Sequence, residues 1–293
     1  MSQVKVITDS VSSITPELAR RYNIMIVPAA NIDYDGQMYP DGVGISTSRA
    51  YELLEKNPDK FSATTLSPGD FMKYFREASR ESKELVYIGF SSALSGTFKL
   101  VELAARQYQA DEPSVSIKTY DSKTTAGAQG LLAITASRAA ASGLDLSQVY
   151  RVLEKARPKT GGIMMLDTLR YVYRTGRMSK TTARIISLLN IKPINRMTDE
   201  GTLELVDRVR KREEGYRRIM GLIKKEAGTL PLHFIVSHAN DPEIAEIACR
   251  LLRENFDCLS IEVTEYSPIM GYASGPRCLF IGFQPEIDFQ NTG

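Results

Sequence analysis

The sequence predicts an α/β protein with a parallel-sheet N-terminal domain, covered by helices on both faces, and a second α+β domain. Apolar strand patterns alternate with helical patterns through the first half of the chain, which is typical of a parallel sheet with helices on each face. After Gly143 the strands become shorter and more widely spaced, and Pro158 to Gly162 break the pattern. We therefore expect the two domains to comprise residues 1–158 and 159–293.

The elements of the first domain follow from apolar runs and from signals that start helices. Thr15-Pro16-Glu17 and Ser67-Pro68-Gly69-Asp70 each place a hydroxyl cap before a proline, which indicates the first turn of a helix. An alanine-rich helix at 125–141 and a linking helix at 146–156 are also predicted. The remaining patterns predict strands at 4–10, 24–32, 84–90 and 114–122, and helices after Pro16, at 68–82 and at 98–108.

The second half of the chain combines short apolar runs with amphipathic segments, which suits an α+β domain. The runs that predict strands read IMMLD, IKPI, TLELV, HFIVSH, SIEVTEY and CLFIGF. Helices are predicted between them at about 181–189, 213–226 and 242–255.

Composition excludes several classes of protein. The net charge is +2, from 37 basic and 35 acidic residues without a long run of one sign, so no nucleic-acid partner is expected. No stretch reaches the roughly 18 apolar residues of a membrane span, and the chain opens on a strand pattern rather than a signal peptide. The three cysteines lack metal-type spacing. We expect a cytoplasmic protein with reduced thiols and no metal.

Small turns that carry hydroxyl groups follow three predicted strands. They are Thr8-Asp9-Ser10, Ser91–Thr97 and Asp121-Ser122, and ligands of open α/β sheets bind outside the carboxyl ends of the strands. The second turn leads directly into a helix, whose free N–H groups and dipole favour an anion. Three such turns at one sheet edge favour a ligand site over plain helix capping. A fourth cluster, Ser62–Ser67, is equally well explained as a capping loop.

The alternative is a hydrolase or acyltransferase that uses Ser95 as nucleophile, with Asp9 or Asp121 as base. A serine hydroxyl is a weak nucleophile unless a base activates it. The two histidines, His233 and His238, lie in the second half on or beside a strand. Ser95 also lacks the G-x-S-x-G context of a nucleophile elbow, and neither nucleotide-binding glycine motif is present. These observations favour binding over catalysis.

Taken in order, the motifs resemble those of the DegV family, which includes the fatty-acid-binding subunits of bacterial fatty acid kinase. The matches run from end to end, and the serine-rich one at 91–98 is nearly complete. The matching segments are Thr8-Asp9-Ser10 with Leu18, Ser62–Ser67 with Pro68-Gly69-Asp70-Phe71, Ser91-Ser92-Ala93-Leu94-Ser95-Gly96-Thr97-Phe98, Asp121-Ser122, Leu169 through Arg174-Thr175-Gly176-Arg177-Met178, and Lys192-Pro193-Ile194.

The resemblance implies a buried tunnel between the two domains that holds the acyl chain of a long-chain fatty acid, with no cofactor beyond this ligand. Family members bind the lipid without catalysis, and a separate ATP-using kinase subunit phosphorylates the carboxylate. Transient contact with a membrane surface would allow lipid exchange. The resemblance places the carboxylate near Ser62, Thr64, Ser92, Ser95 and Gly96. It suggests secondary contacts at Asp9, Ser10, Arg177, Ala273 and Arg277.

Two departures from the family pattern fall on the expected head-group site. The family's Thr-Ser-Gln-Pro-Ser loop begins here with Ala63, so the hydroxyl of Thr64 or of Ser62 is expected to substitute. The family's Gly-x-His-x-Gly-Pro-Gly pattern has Ala273 in place of the histidine and Arg277 in place of the last glycine. Arg277 is then expected to supply an alternative charge near the ligand.

Overall fold

A computed structural model describes residues 4–176 and 191–289. Within these ranges the strands form a four-stranded, a three-stranded and a six-stranded sheet. The strands are β1 Lys5–Asp9, β2 Ile24–Val27, β3 Ala30–Tyr34, β4 Gln37–Pro40, β5 Phe61–Thr65, β6 Glu84–Gly89, β7 Ser116–Asp121, β8 Gly161–Met165, β9 Lys192–Met197, β10 Leu203–Val209, β11 Leu232–His238, β12 Cys258–Glu265 and β13 Leu279–Pro285.

The helices of the described residues follow the predicted alternation in the first half of the chain. They are α1 Pro16–Arg21, α2 Thr47–Lys56, α3 Pro68–Ala78, α4 Thr97–Asp111, α5 Ala126–Ala141, α6 Leu146–Ala156, α7 Arg170–Arg174, α8 Arg212–Ala227, α9 Pro242–Asn255 and α10 Pro268–Ser274. The helix predicted at about 181–189 lies outside the described residues.

The four-stranded sheet is the parallel sheet that the sequence predicts. Its order is β2-β1-β6-β7, and each neighbouring pair is parallel. Helices α3 and α4 bury one face, through side chains such as Phe75 and Val101, and α5 and α6 bury the other through Leu132 and Val149. The chain runs from β1 outward to β2 and later returns on the other side to β6. The carboxyl ends of β1 and β6 therefore form the switch point of the sheet, where open α/β sheets bind ligands.

The three-stranded antiparallel sheet, ordered β4-β3-β5, corrects two predictions. The single strand predicted at 24–32 is two strands, β2 in the parallel sheet and β3 in this one. Pro28 lies between them, and it has no N–H to continue a ladder. The hydroxyl cluster Ser62–Ser67, which could be read as a capping loop, is largely strand β5, paired with β3. Helix α2, capped by the hydroxyl of Ser46, was not predicted.

The six-stranded sheet is mixed and has the order β10-β9-β8-β13-β11-β12. Its β11–β12 pair is parallel and the other pairs are antiparallel. Helices α8 and α9 cover its outer face, with Ile219 and Leu252 in the core beneath them. The inner face lies against α5 and against the smaller sheet's cluster, which includes Ile32, Met164 and Phe280.

Helix α5 is buried on all sides because its small residues let both large sheets approach it. A Cβ on Gly127 would lie 2.7 Å from the carbonyl oxygen of Ile235 in β11, and one on Gly282 of β13 would lie 2.4 Å from the amide nitrogen of Ala128. Both distances are shorter than real carbon contacts, so glycine is required for this spacing. The parallel sheet and the six-stranded sheet consequently share one central helix. The boundary between domains after residue 158 stays a prediction.

Candidate functional site

A cavity of about 130 Å³ lies at the switch point of the parallel sheet, between it, β5, the six-stranded sheet and α10. Its wall is mostly apolar. Its apolar side chains include those of Val11, Leu94, Met164, Leu203 and Met270. Among the described residues that line it, none carries a charge, and the polar groups are hydroxyls, chiefly those of Thr64, Thr65, Ser95, Thr97 and Thr125.

The N-terminus of α4 opens onto this cavity through the turn that precedes it. Gly96 is the cap residue and contributes no side chain. The hydroxyl of Ser95 substitutes for a cap, because its Oγ accepts a hydrogen bond from the Thr97 N–H at 3.2 Å and lies 3.0 Å from the Thr97 Oγ1. Free N–H groups, a helix dipole and two hydroxyls therefore converge where the sequence predicts an anion.

Strand β5 carries Thr64 to the cavity wall, together with Ala63 and Thr65. Ser62 is exposed and does not line the cavity. Across the cavity, α10 contributes Ala273 at the position where the family pattern has histidine. The structure thus brings together three of the predicted positions: Thr64, Ser95 and Ala273.

Other predicted positions lie away from the cavity lining. Ser92 is exposed, and its hydroxyl donates to the Asp121 Oδ2 at 2.6 Å. Gly96 is exposed at the start of α4. The side chain of Arg277 is exposed as well, while its backbone N–H donates to the carbonyl of Ala239 at 2.6 Å. Arg177 lies outside the described residues.

Asp9 is completely buried and holds the loops of the switch point together. Its carboxylate accepts hydrogen bonds from the N–H groups of Val11 and Phe90 at 3.1 and 3.2 Å, from the Tyr87 hydroxyl at 3.2 Å and from the Gln129 amide at 3.1 Å. Burial raises its pKa from 3.8 to about 6, against the opposing effect of these hydrogen bonds. Asp9 therefore does not line the cavity but holds in place Val11 and Phe90, which do.

A second buried carboxyl, Asp41, ties the β1 turn to α10. Its Oδ2 accepts a hydrogen bond from the Ser10 hydroxyl, and its Oδ1 accepts one from the Ile269 N–H at 2.9 Å. The Ser10 Oγ in turn accepts a hydrogen bond from the Ala29 N–H at 3.0 Å. Ser10 itself does not line the cavity, but Ile269 and Ala29 do. The Ser10–Asp41 pair therefore positions two parts of the wall relative to each other.

The titration of Asp41 should be visible in the stability of the protein. Burial raises its pKa from 3.8 to about 6, so between these pH values the folded state keeps a proton that the unfolded state has lost. Stability from this group is therefore present below pH 4 and declines as the pH rises to about 6, by about 3 kcal/mol in total. In Asp41→Asn the amide oxygen can accept from the Ile269 N–H and the amide nitrogen can donate to the Ser10 Oγ, but the side chain cannot titrate.

The measurement is urea unfolding of wild type and Asp41→Asn at several pH values between 4 and 7. We expect the free energy of unfolding of wild type, relative to the variant, to fall as the pH rises through this window. Other carboxyl groups titrate equally in both proteins and cancel in the difference. Parallel pH curves for the two proteins would contradict the assignment.

Neither histidine is placed to activate Ser95. The ring of His233 contacts Ser260 at 2.8 Å and Glu286 at 2.6 Å. His238 accepts a hydrogen bond from the Asp241 N–H at 3.3 Å, and burial lowers its pKa. Both lie outside the cavity lining. Within the described residues there is also no group of three or more His, Cys, Asp or Glu side chains that could hold a metal ion.

A larger open groove, of about 750 Å³, is lined by Arg157, Arg196, Glu204 and Glu226 among others. Arg196 pairs with Glu204 at 2.6 Å and with Glu226 at 3.7 Å. The residues that line the groove include three basic and five acidic side chains, so it is charged rather than apolar. The smaller apolar cavity is the better candidate for a ligand site. In the parts of the chain that the structure covers, no helix is long and apolar enough to cross a membrane.

Comparison with known proteins identifies the family. The DegV family model, described as "Uncharacterised protein, DegV family", matches residues 3–286. The DegV domain-containing protein TTE1491 of Caldanaerobacter subterraneus subsp. tengcongensis is 33% identical over 226 residues, which are 76% of this chain and 78% of that protein. This chain therefore belongs to the DegV family, as its motifs predict.

Solved structures show the same fold. A DegV family protein from Thermus thermophilus, described for its fatty acid binding, is similar with a TM-score of 0.86 and 22% identity, covering 97% of this chain and 100% of that one. The Fatty Acid Kinase (Fak) B3 protein of Streptococcus pneumoniae, loaded with linoleic acid, has a TM-score of 0.86 and 21% identity, covering 97% and 100%. The predicted fold class is confirmed.

Proposed function

We propose that this protein binds a long-chain fatty acid in the cavity at the switch point and presents its carboxylate to a kinase subunit. One observation carries the proposal: in an uncharged, mainly apolar cavity, the hydroxyls of Ser95 and Thr97 lie at the N-terminus of a 15-residue helix, α4. An acyl carboxylate combines these two requirements in one molecule, an apolar chain and a single anionic end. The fatty acids bound by the Thermus and Streptococcus proteins support the proposal.

The head group would lie against Ser95, Thr97 and Thr64. Hydroxyls and N–H groups can satisfy an ionised carboxylate with charge-assisted hydrogen bonds even where no cation is present. The helix dipole adds about 0.3–1 kcal/mol or somewhat more at a partly buried site. Neither Asp9 nor Asp41 lines the cavity, and each carboxyl group is held by hydrogen bonds of its own.

The acyl chain requires more room than the cavity offers at rest. Ligand pockets usually enclose about 300–1,000 Å³, whereas this cavity encloses about 130 Å³. Two of the side chains that line it are those of Met164 and Met270. Methionine is the most adaptable apolar side chain because it is unbranched. We propose that these side chains move to lengthen the cavity into the tunnel expected from the sequence.

A partner could reach the carboxylate because the turn that would bind it lies at the surface. Ser92, Ala93 and Gly96 are exposed, directly beside Ser95. In this proposal the partner supplies ATP and the catalytic groups, while this chain binds and orients the acid. The same exposed turn would face a membrane surface during lipid exchange.

The test is mass spectrometry of organic extracts from the purified protein, followed by thermal unfolding after removal of lipid. We expect a long-chain fatty acid in the extract and a higher melting temperature when fatty acids are added back, since ligand that binds only the folded state stabilises it. Extracts without any acyl carboxylate, together with an unchanged melting temperature, would refute the proposal.

Ser95→Ala is expected to weaken fatty acid binding by about 1–3 kcal/mol, because an ionised acceptor loses a charge-assisted hydrogen bond. Isothermal titration with a single fatty acid measures this difference. Ser92→Ala is the matched control, since Ser92 belongs to the same turn but bonds to Asp121 at the surface. Equal losses in the two variants, or none in Ser95→Ala, would place the head group elsewhere.

A further inference from the structure

Asn195 in β9 carries a buried amide without a partner among the residues that the structure describes. The residue is 1% exposed, and within those ranges neither its amide oxygen nor its amide nitrogen has a hydrogen-bond partner. Most buried polar side chains are hydrogen-bonded, since desolvation is not otherwise recovered, and an exception requires an explanation. A partner from outside the chain would provide one.

The pairing of the strands places Asn195 beside the cavity. Met164 of β8 and Leu205 of β10 lie directly opposite it in register, and side chains that are opposite in a sheet lie on the same face. Met164 lines the cavity. Leu203, two residues before Leu205 and on the same face, lines it too. Asn195 does not itself line the cavity, but it lies on the same face of the sheet as Met164 and Leu203, which do.

The residues on either side of Asn195 show that its side chain does not face the helices α8 and α9. Ile194 belongs to the core beneath those helices, and Arg196 forms its ion pair with Glu226 of α8. Since side chains alternate along a strand, Asn195 faces the inner side, as does Met197, a member of the cluster around the cavity.

We infer that Asn195 recognises an oxygen on the acyl chain itself, so that the ligand is a hydroxylated or otherwise oxygenated fatty acid. This inference rests on the proposed function. The amide of asparagine donates a hydrogen bond through its nitrogen and accepts one through its oxygen. A single hydroxyl group can accept the first of these bonds and donate the second. A bridging water would need two to four polar partners, whereas the register neighbours of Asn195 are methionine and leucine. An unsubstituted chain that fills the cavity leaves the amide unpaired.

The experiment compares the binding of stearate with that of monohydroxystearates whose hydroxyl group is moved along the chain. Delipidated wild type is titrated with each acid, beside Asn195→Leu and beside Met197→Leu, which alters the same face without removing a polar group. In wild type we expect one position of the hydroxyl group to bind about ten-fold more tightly than stearate. Asn195→Leu should lose this preference and still bind stearate, and Met197→Leu should keep it.

The outcomes separate this inference from the function on which it rests. Binding of all the acids with equal affinity in wild type, as expected if water satisfies the amide, overturns the inference and leaves the proposed function standing. A preference that survives in Asn195→Leu overturns it as well. No binding of any acid refutes both. Asn195→Ala, which removes the amide without adding volume, replaces Asn195→Leu if that variant does not fold.

Discussion

Replacing Asp9 by alanine is expected to lower the free energy of unfolding by about 3–5 kcal/mol. The substitution removes the acceptor of four hydrogen bonds in a completely buried place. The amides of Val11 and Phe90 and the hydroxyl of Tyr87 would remain there without a partner, and each unsatisfied group costs about 1–3 kcal/mol. The variant no longer buries a carboxyl group whose desolvation is unfavourable, and this gain offsets part of the loss. Urea unfolding at pH 7 measures the difference.

Asp121→Ala is the control, since Asp121 also follows a strand of the parallel sheet and also accepts hydrogen bonds from a turn. Its partners are Ser92 and the N–H of Lys123 at 2.9 Å, and these groups are exposed. Water replaces an exposed acceptor, so we expect a loss of about 1 kcal/mol or less. If the two variants are destabilised equally, Asp9 is not the centre of the switch-point structure.

Ala273→Phe is expected to weaken fatty acid binding by at least about 100-fold. Ala273 lines a cavity of about 130 Å³, and a benzyl group directed into it displaces part of the acyl chain. Each methylene group kept out of an apolar environment forfeits about 0.8 kcal/mol, so four of them amount to about 3 kcal/mol. The folded structure should tolerate the change, because the added side chain occupies space rather than packed atoms. Titration with a fatty acid and thermal unfolding measure the two effects.

The matched control is Ala110→Phe, which adds the same side chain at an exposed position of α4. It should leave affinity unchanged. Retained fatty acid binding in Ala273→Phe, with the fold intact, would mean that the acyl chain does not pass the wall formed by α10.

The regular parts of the fold could be predicted because their signals are local. The cap and proline before α3, the small residues of α5 and the amphipathic pattern of α6 each lie within the element that they specify. The prediction was wrong at β2 and β3, where one apolar run contributes a strand to each of two sheets. The periodicity of apolar residues indicates that a segment is extended, but it does not indicate with which strand the segment pairs. Pro28 was the sole local sign of the break between β2 and β3.

Only those residues of the candidate site that belong to sequence motifs could be predicted. Ser95 and Thr64 line the cavity, and both follow from hydroxyl clusters in the sequence. Asp41 was missed because its partners, Ser10 and Ile269, are distant in sequence, and a single aspartate before a glycine reads as a turn. Ser92 differs from Ser95 in the direction of its side chain, which composition does not encode.

The central position of α5 also determines which parts of the protein can move when a ligand enters. Gly127 and Gly282 both bring α5 close to the backbone of the six-stranded sheet, so sliding or parting α5 and that sheet would break these close contacts. Another side of the cavity is formed by α10 and β5, and Asp41 joins the turn after β1 to α10 through its hydrogen bonds with Ser10 and Ile269. Under the proposed function, we expect entry of a fatty acid to require movement of side chains on α10 and β5 rather than separation of α5 from the six-stranded sheet.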